Sequence, residues 1–138
     1  MTLSLDTNVI VELVRGRNVV VRSRLATAIE AGETPVASPI VWHELLFGVE
    51  RHPNPTGQLA RLRRAMATVT FLPFDNDDMA ICAQVRARLA RRGSPIGAYD
   101  LLIAGQALAK GWTVVTANTR EFDRVEGLNV IDWTAPAD

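Results

Sequence analysis

The chain has 138 residues, 48% apolar and 22% charged, with fifteen basic residues balanced by fifteen acidic ones. This excludes a disordered polyelectrolyte and leaves no net field to draw the protein to nucleic acid, and it fits one globular domain spanning residues 1–138. No apolar run approaches a membrane span and the first residues lack a signal peptide's basic start, so a cytoplasmic protein with no membrane association is expected.

Leu3 and Leu5 alternate with polar neighbours and predict a short strand, after which Val9, Ile10, Leu13 and Val14 recur at helical spacing. Strand gives way to helix within Asp6, Thr7 and Asn8. An acid at this junction is either a helix cap or, because ligands bind beyond the carboxyl ends of strands in open α/β sheets, a site residue. The first helix breaks near Gly16, and a second follows with Val21, Leu25, Ala28 and Ile29 as its buried stripe. Residues 35–38 predict a second strand. Ser38-Pro39 then opens a helix, serine at the cap and proline in the first turn, carrying Ile40, Val41, Glu44, Leu45, Leu46 and Val49.

The run His52-Pro53-Asn54-Pro55-Thr56-Gly57 is a turn, followed by a helix marked by Leu59, Leu62 and Met66. Residues 69–72 predict a third strand. Asp75, Asn76, Asp77 and Asp78 form an acidic helix start, favourable against the partial positive charge of a helix N-terminus. That helix runs to Arg92 and carries Cys82, read as a small core residue. One cysteine with His43 and His52 makes neither a disulfide nor a structural zinc site. After Gly97, which delays the start to Ala98, an apolar run from Leu101 to Leu108 is wider than one helical face and predicts a buried helix. Residues 112–116 predict a fourth strand and residues 129–131 a fifth at the sheet edge. Strands alternating with helices predict an α/β fold, a mostly parallel sheet of four to five short strands flanked by helices.

All but one of the fifteen basic residues are arginine, Lys110 being the exception. Arg61, Arg63 and Arg64 cluster on one helix, and Arg86, Arg88, Arg91 and Arg92 on another. Arginine's planar fork suits phosphate, although solvated faces of amphipathic helices account for most of these positions.

Three acids sit where charge is least expected: Asp6 after the first strand, Glu44 among Trp42, Leu45 and Leu46, and Asp100 at the start of the buried helix. Glu44 and Asp100 share a phrase, Ser-Pro-Ile, three residues, an acid and Leu-Leu, at 38–46 and 94–102. Each phrase delivers an acid early in a helix that begins near a strand end. If the three converge, like charges ~4 Å apart repel by about 4 kcal/mol at an effective dielectric of 20, so the cluster calls for a cation or a proton. Oxygen-only ligands point to Mg²⁺ or Mn²⁺, and such an ion brings phosphodiester hydrolysis within reach. Thr116 and Asn118 follow the fourth strand, on the edge where Asp6 is expected.

Leu-Asp-Thr-Asn-Val-Ile at 5–10, the Glu44 helix, Asp100-Leu-Leu-Ile-Ala and Val-Thr-Ala-Asn-Thr-Arg-Glu-Phe at 115–122 together resemble the PIN-domain ribonucleases, most closely the VapC toxins of toxin–antitoxin pairs. The likeness extends through Gly127-Leu128 and Asp132-Trp133. It implies a Mg²⁺- or Mn²⁺-dependent endoribonuclease acting on tRNA or another structured RNA, with Asp6, Glu44 and Asp100 at the family's acidic positions. It also implies a homodimer and a VapB-like antitoxin that blocks the site. On this reading Asp6 and Asp100 hold the metal, and Glu44 holds the metal or its water. Asn118, Thr7 and Thr116 position water or the scissile phosphate, and neighbouring arginines hold the RNA backbone.

Many PIN domains carry a fourth acid where this chain has Asn118, which weakens the case for a tightly held second metal. Glu121 and Asp123 lie nearby, and Glu121 is expected to face solvent. Two other classes stand beside this one. A phosphatase with Asp6 as nucleophile needs a second acid at position 8, which is Asn8. A PIN-like module that binds RNA or protein without cutting needs none of the acids.

Overall fold

Five short strands form one sheet: β1 (Thr2–Leu5), β2 (Thr34–Ala37), β3 (Thr70–Phe71), β4 (Thr113–Val115) and β5 (Asn129–Ile131). Their order is β3-β2-β1-β4-β5, and every pairing is parallel. The expected α/β sheet is therefore wholly parallel, with β3 and β5 at its edges. The computed structural model describes residues 1–135, so the last three residues of the expected domain lie outside the described part.

Parallel strands need crossovers, and among the described residues seven helices supply them. α1 (Thr7–Arg15) and α2 (Val19–Glu30) link β1 to β2, and α3 (Pro39–Glu50) and α4 (Pro55–Ala65) link β2 to β3. α5 (Asn76–Arg91) and α6 (Ala98–Lys110) link β3 to β4, and the short α7 (Thr119–Phe122) precedes β5. The chain winds outward from β1 to β3, then crosses to β4 and winds the other way. With right-handed crossovers the first four helices cover one face and the last three the other. Accordingly α1, α3 and α4 pack together, and α5 and α6 form the closest helix pair. The reversal lies between β1 and β4, where open α/β sheets bind ligands.

Leu3, Leu5, Val36, Val114 and Val115 are buried, and Val9, Ile10, Val41 and Ile103 cover them. α2 buries Val21, Leu25 and Ala28 but leaves Ile29 38% exposed, against expectation. Ile29 stands about 100° round the helix from Ala28, and so turns off the stripe in the final turn. α1 starts at Thr7, earlier than its apolar pattern indicates, because the Asp6 side chain caps it. The acidic start of α5 is a reciprocal capping box between Asp75 and Asp78. Lys110 pairs with both acids, and its contact with the fully buried Asp78 is 3.3 Å. The clustered arginines of α4 and α5 are exposed. Among the described residues no helix is long and apolar enough to cross a membrane.

The closeness of α5 and α6 rests on Gly105. A methyl there would stand 2.9 Å from the Cys82 Cα and nearer still to its sulfur, with backbone on one side and no room to yield. Gly105→Ala is therefore expected to destabilise the fold by about 1–3 kcal/mol, read from denaturant unfolding.

Candidate active site

Asp6 is one step beyond Leu5, and Thr116 one step beyond Val115, the last paired residues of the two central strands. The Asp6 backbone N–H donates to the Val115 carbonyl at 2.9 Å, so its side chain starts from a fixed point. Three donors hold the carboxylate. The Thr7 backbone N–H reaches Oδ1 at 2.8 Å, while the Thr116 hydroxyl at 2.7 Å and Asn8 Nδ2 at 3.0 Å reach Oδ2. Asn8 also donates to the Thr116 hydroxyl and accepts from the Ala117 backbone, stitching both strand ends together. Asp6 is 4% exposed. Burial pushes its pKa above the ordinary carboxylate value, against the pull of the hydrogen bonds from Thr116, Thr7 and Asn8.

Glu44 comes from the second turn of α3, whose start is fixed by the Ser38 hydroxyl and by Pro39 in the first turn. The Thr7 hydroxyl donates to Glu44 Oε1 at 2.8 Å. Asp100 lies in the first turn of α6, just after Gly97. Asn118 occupies the cap position of α7 but makes no side-chain cap. Its Nδ2 instead donates to Asp100 Oδ2 at 3.0 Å and to Glu121 Oε2 at 2.9 Å.

Asp6, Glu44, Asp100 and Asn118 line one open pocket of about 380 Å³, together with Thr7, Asn8, Val11, Glu12 and Arg15. The hydroxyls of Thr7 and Thr116 each donate to a carboxylate, so they orient acids rather than face the pocket as free donors. Glu121 departs from the sequence reading. It remains half-exposed, but its carboxylate also turns back through Asn118 to the Asp100 carboxylate and the Gly97 backbone. Its signal was its spacing, three residues after Asn118, which a one-turn helix brings to the same face. The network of Asn8 has no short-range sequence mark, because Thr116 and Ala117 lie more than a hundred residues away in the chain.

The crowding appears in the acids themselves. Burial, the contact with Glu121 and the charges of Asp6, Glu121 and Glu44 push the Asp100 pKa up to about 7. Contact with Asp100 and Asn118 pulls Glu121 down. The proton of the Asp100–Glu121 pair is thus held well above the ordinary carboxylate range and is lost only around neutral pH. Among the described residues no three His, Cys, Asp or Glu side chains form a ready-made metal cage. Mg²⁺ seldom uses such cages; it keeps several waters and takes one or two carboxylates. The all-oxygen donors and the unrelieved negative crowding fit a hydrated, hard divalent cation.

An acid whose folded pKa lies above its unfolded value of 3.8 favours the unfolded chain as pH rises from about 4 to 7. In EDTA, Asp100→Asn should therefore melt higher than the wild type above pH 7. Allowing for solvent at this half-exposed group, the gain is on the order of 1 kcal/mol, and it should vanish near pH 4 in a pH series of thermal melts.

The PIN domain family model matches residues 3–128. The tRNA(fMet)-specific endonuclease VapC of Shigella flexneri is 35% identical over 130 residues, covering 94% of this chain and 96% of the relative. The enzyme of the same name from Salmonella typhimurium is 40% identical over 96 residues, 70% of this chain and 73% of the relative. Among solved structures, DNA-bound VapBC from Salmonella typhimurium superposes with a TM-score of 0.87 at 33% identity, over 96% of this chain and 98% of its counterpart. VapBC2 from Rickettsia felis, bound to a promoter DNA fragment, gives 0.91 at 27% identity over 96% and 99%. A parallel sheet with acids at its switch point, matched along nearly its whole length by these proteins, makes this chain a member of the PIN-domain family, in its VapC branch.

Proposed function

We propose that this chain is the toxin of a type II toxin–antitoxin pair: a divalent-metal-dependent endoribonuclease of the cytoplasm, working as a homodimer and silenced by a cognate VapB-like antitoxin. The observation that supports this most is that carboxylates from three separate elements, Asp6, Glu44 and Asp100, line one open pocket at the sheet's switch point. A module that only binds RNA or protein gains nothing from an electrostatic stress that holds Asp100 near pKa 7. Function-bearing sites are where such perturbations collect.

Asp6 and Asp100 would hold Mg²⁺ or Mn²⁺, and Glu44 would hold the ion or a water beside it. Glu121 supplies a fourth carboxylate, one helical turn away from Asn118, the position at which many family members carry theirs. A bound divalent ion supplies activation of water and neutralisation of charge on the phosphate oxygens. The other residues set geometry. Thr116, Asn8 and the Thr7 backbone fix the Asp6 carboxylate, and the Thr7 hydroxyl fixes Glu44. Asn118 divides its two N–H groups between Asp100 and Glu121, keeping the two acids in register across the pocket mouth. Arg15, exposed on the rim, faces an RNA backbone as a phosphate ligand.

The Shigella and Salmonella relatives are tRNA(fMet)-specific endonucleases, which makes initiator tRNA the first substrate to test. Partner-free protein should cut it with Mg²⁺ or Mn²⁺ and leave it whole in EDTA. Asp6→Asn should lower the rate at least about 100-fold with an unchanged fold by circular dichroism. Intact RNA in every lane, across initiator tRNA and bulk tRNA, would transfer the protein to the non-cleaving class. Glu121→Gln should slow cleavage by about tenfold, and adding Asn118→Asp should restore much of it, because the fourth charge returns at the family's position.

A further inference from the structure

Beside the carboxylate pocket, between α1 and the α3–α4 pair, lies a second cavity of about 650 Å³, within the size range of built ligand sites. Thr7, Val11, Arg15 and Glu44 line both, so the two form one continuous depression. The floor of the second is aliphatic, formed by Val11, Val14, Leu45, Val49 and Leu62. Its far rim carries Arg17, His52, Gln58 and Arg61. Arg17 and Arg61 are exposed, and among the described residues neither is ion-paired. The Asn54 backbone N–H donates to His52 Nδ1 at 2.9 Å, so the neutral ring carries its proton on Nε2, as a donor.

Gly48 is the anomaly. It sits within α3, at the cavity wall, where glycine costs roughly 1 kcal/mol relative to alanine. Elsewhere a helical glycine such as Gly105 makes room for a neighbour. At Gly48 a Cβ would meet nothing within 4 Å, so nothing in the chain requires the omission. The bare backbone leaves space for something from outside.

We propose that this cavity receives an unpaired nucleotide of the RNA strand, adjacent to the phosphodiester presented to Asp6 and Asp100. The base lies on the aliphatic floor against Gly48, and its flanking phosphates face Arg17 and Arg61. The inference rests on the ribonuclease reading above. A polymer crossing the carboxylate pocket must continue along a neighbouring surface, and this is the depression continuous with it. The rim is cationic where the strand carries charge. Single-stranded RNA is recognised by splayed-out bases that lie on flat side chains or guanidinium planes and bond along their edges, roles that Gln58, His52 and the two arginines can fill.

Two variants separate shape from charge: Gly48→Leu fills the cavity without changing charge, and Arg61→Gln removes charge without filling it. Binding is read by fluorescence anisotropy of fluorescein-labelled initiator tRNA in EDTA, and cleavage in Mn²⁺. Each should weaken binding by about tenfold, and Arg61→Gln should also flatten the salt dependence by about one phosphate contact. Gly48→Ala guards against misfolding: it should melt about 3 °C higher than the wild type yet bind tRNA more weakly.

If the wild type cuts RNA and all three variants bind and cut equally well, the subsite is overturned and the ribonuclease reading stands. Variants that cut normally but escape inhibition by the cognate antitoxin would assign the cavity to that protein and likewise overturn the proposal. A wild type that neither binds nor cuts initiator or bulk tRNA removes both.

Discussion

A 2.7 Å hydrogen bond from the Thr116 hydroxyl to Asp6 joins the ends of the two central strands, and the rest of the site depends on it. A carboxylate only 4% exposed is tolerable because donors surround it. Thr116 and Asn8 supply the side-chain donors and the first turn of α1 supplies a backbone one, so the same residue caps a helix and anchors a site. The two roles set against each other by the sequence are not alternatives. Capping is how the chain orients the acid: Oδ1 faces the helix start while Oδ2 faces across the sheet.

Around that anchor the architecture concentrates negative charge. α3 brings Glu44, α6 brings Asp100 and α7 brings Glu121, each from a helix whose start lies at the carboxyl edge of the sheet. Among the described residues no cation is ion-paired with Asp6, Glu44 or Asp100: Arg15 is exposed and leans on Glu12 at 3.7 Å. The contrast with the other acidic start is instructive. There Asp75 and Asp78 are met by Lys110 and the Asp75 pKa is held below its ordinary value. One acidic cluster is closed by the chain's only lysine, and the other is left open.

Much of this was legible in the residues. Ser38-Pro39 marks a helix start by local chemistry alone, and Gly97 marks the delay of α6 to Ala98, because both signals act within a few residues. The five strands appear because apolar runs are short and separated by turn residues, although their pairing order is a long-range property. Asp6, Glu44 and Asp100 stood out as acids in apolar company. Glu121 did not, because a four-residue helix is too short to show a hydrophobic period that would set its face. Ile29 went the other way: its apolar side chain suggested burial, but one position beyond the buried Ala28 it points off the core-facing stripe.

The residues lining the carboxylate pocket come from the beginning, the middle and nearly the end of the chain, numbers 6, 44, 100 and 118, with Glu121 behind them. β4, which seats Thr116 beside Asp6, is the fourth of five strands to be made. A nascent chain that stops short of residue 118 therefore lacks a wall of the pocket. The parallel winding order thus leaves the pocket without a wall until β4 has joined the sheet beside β1, so that none of the earlier elements alone holds all the carboxylates together.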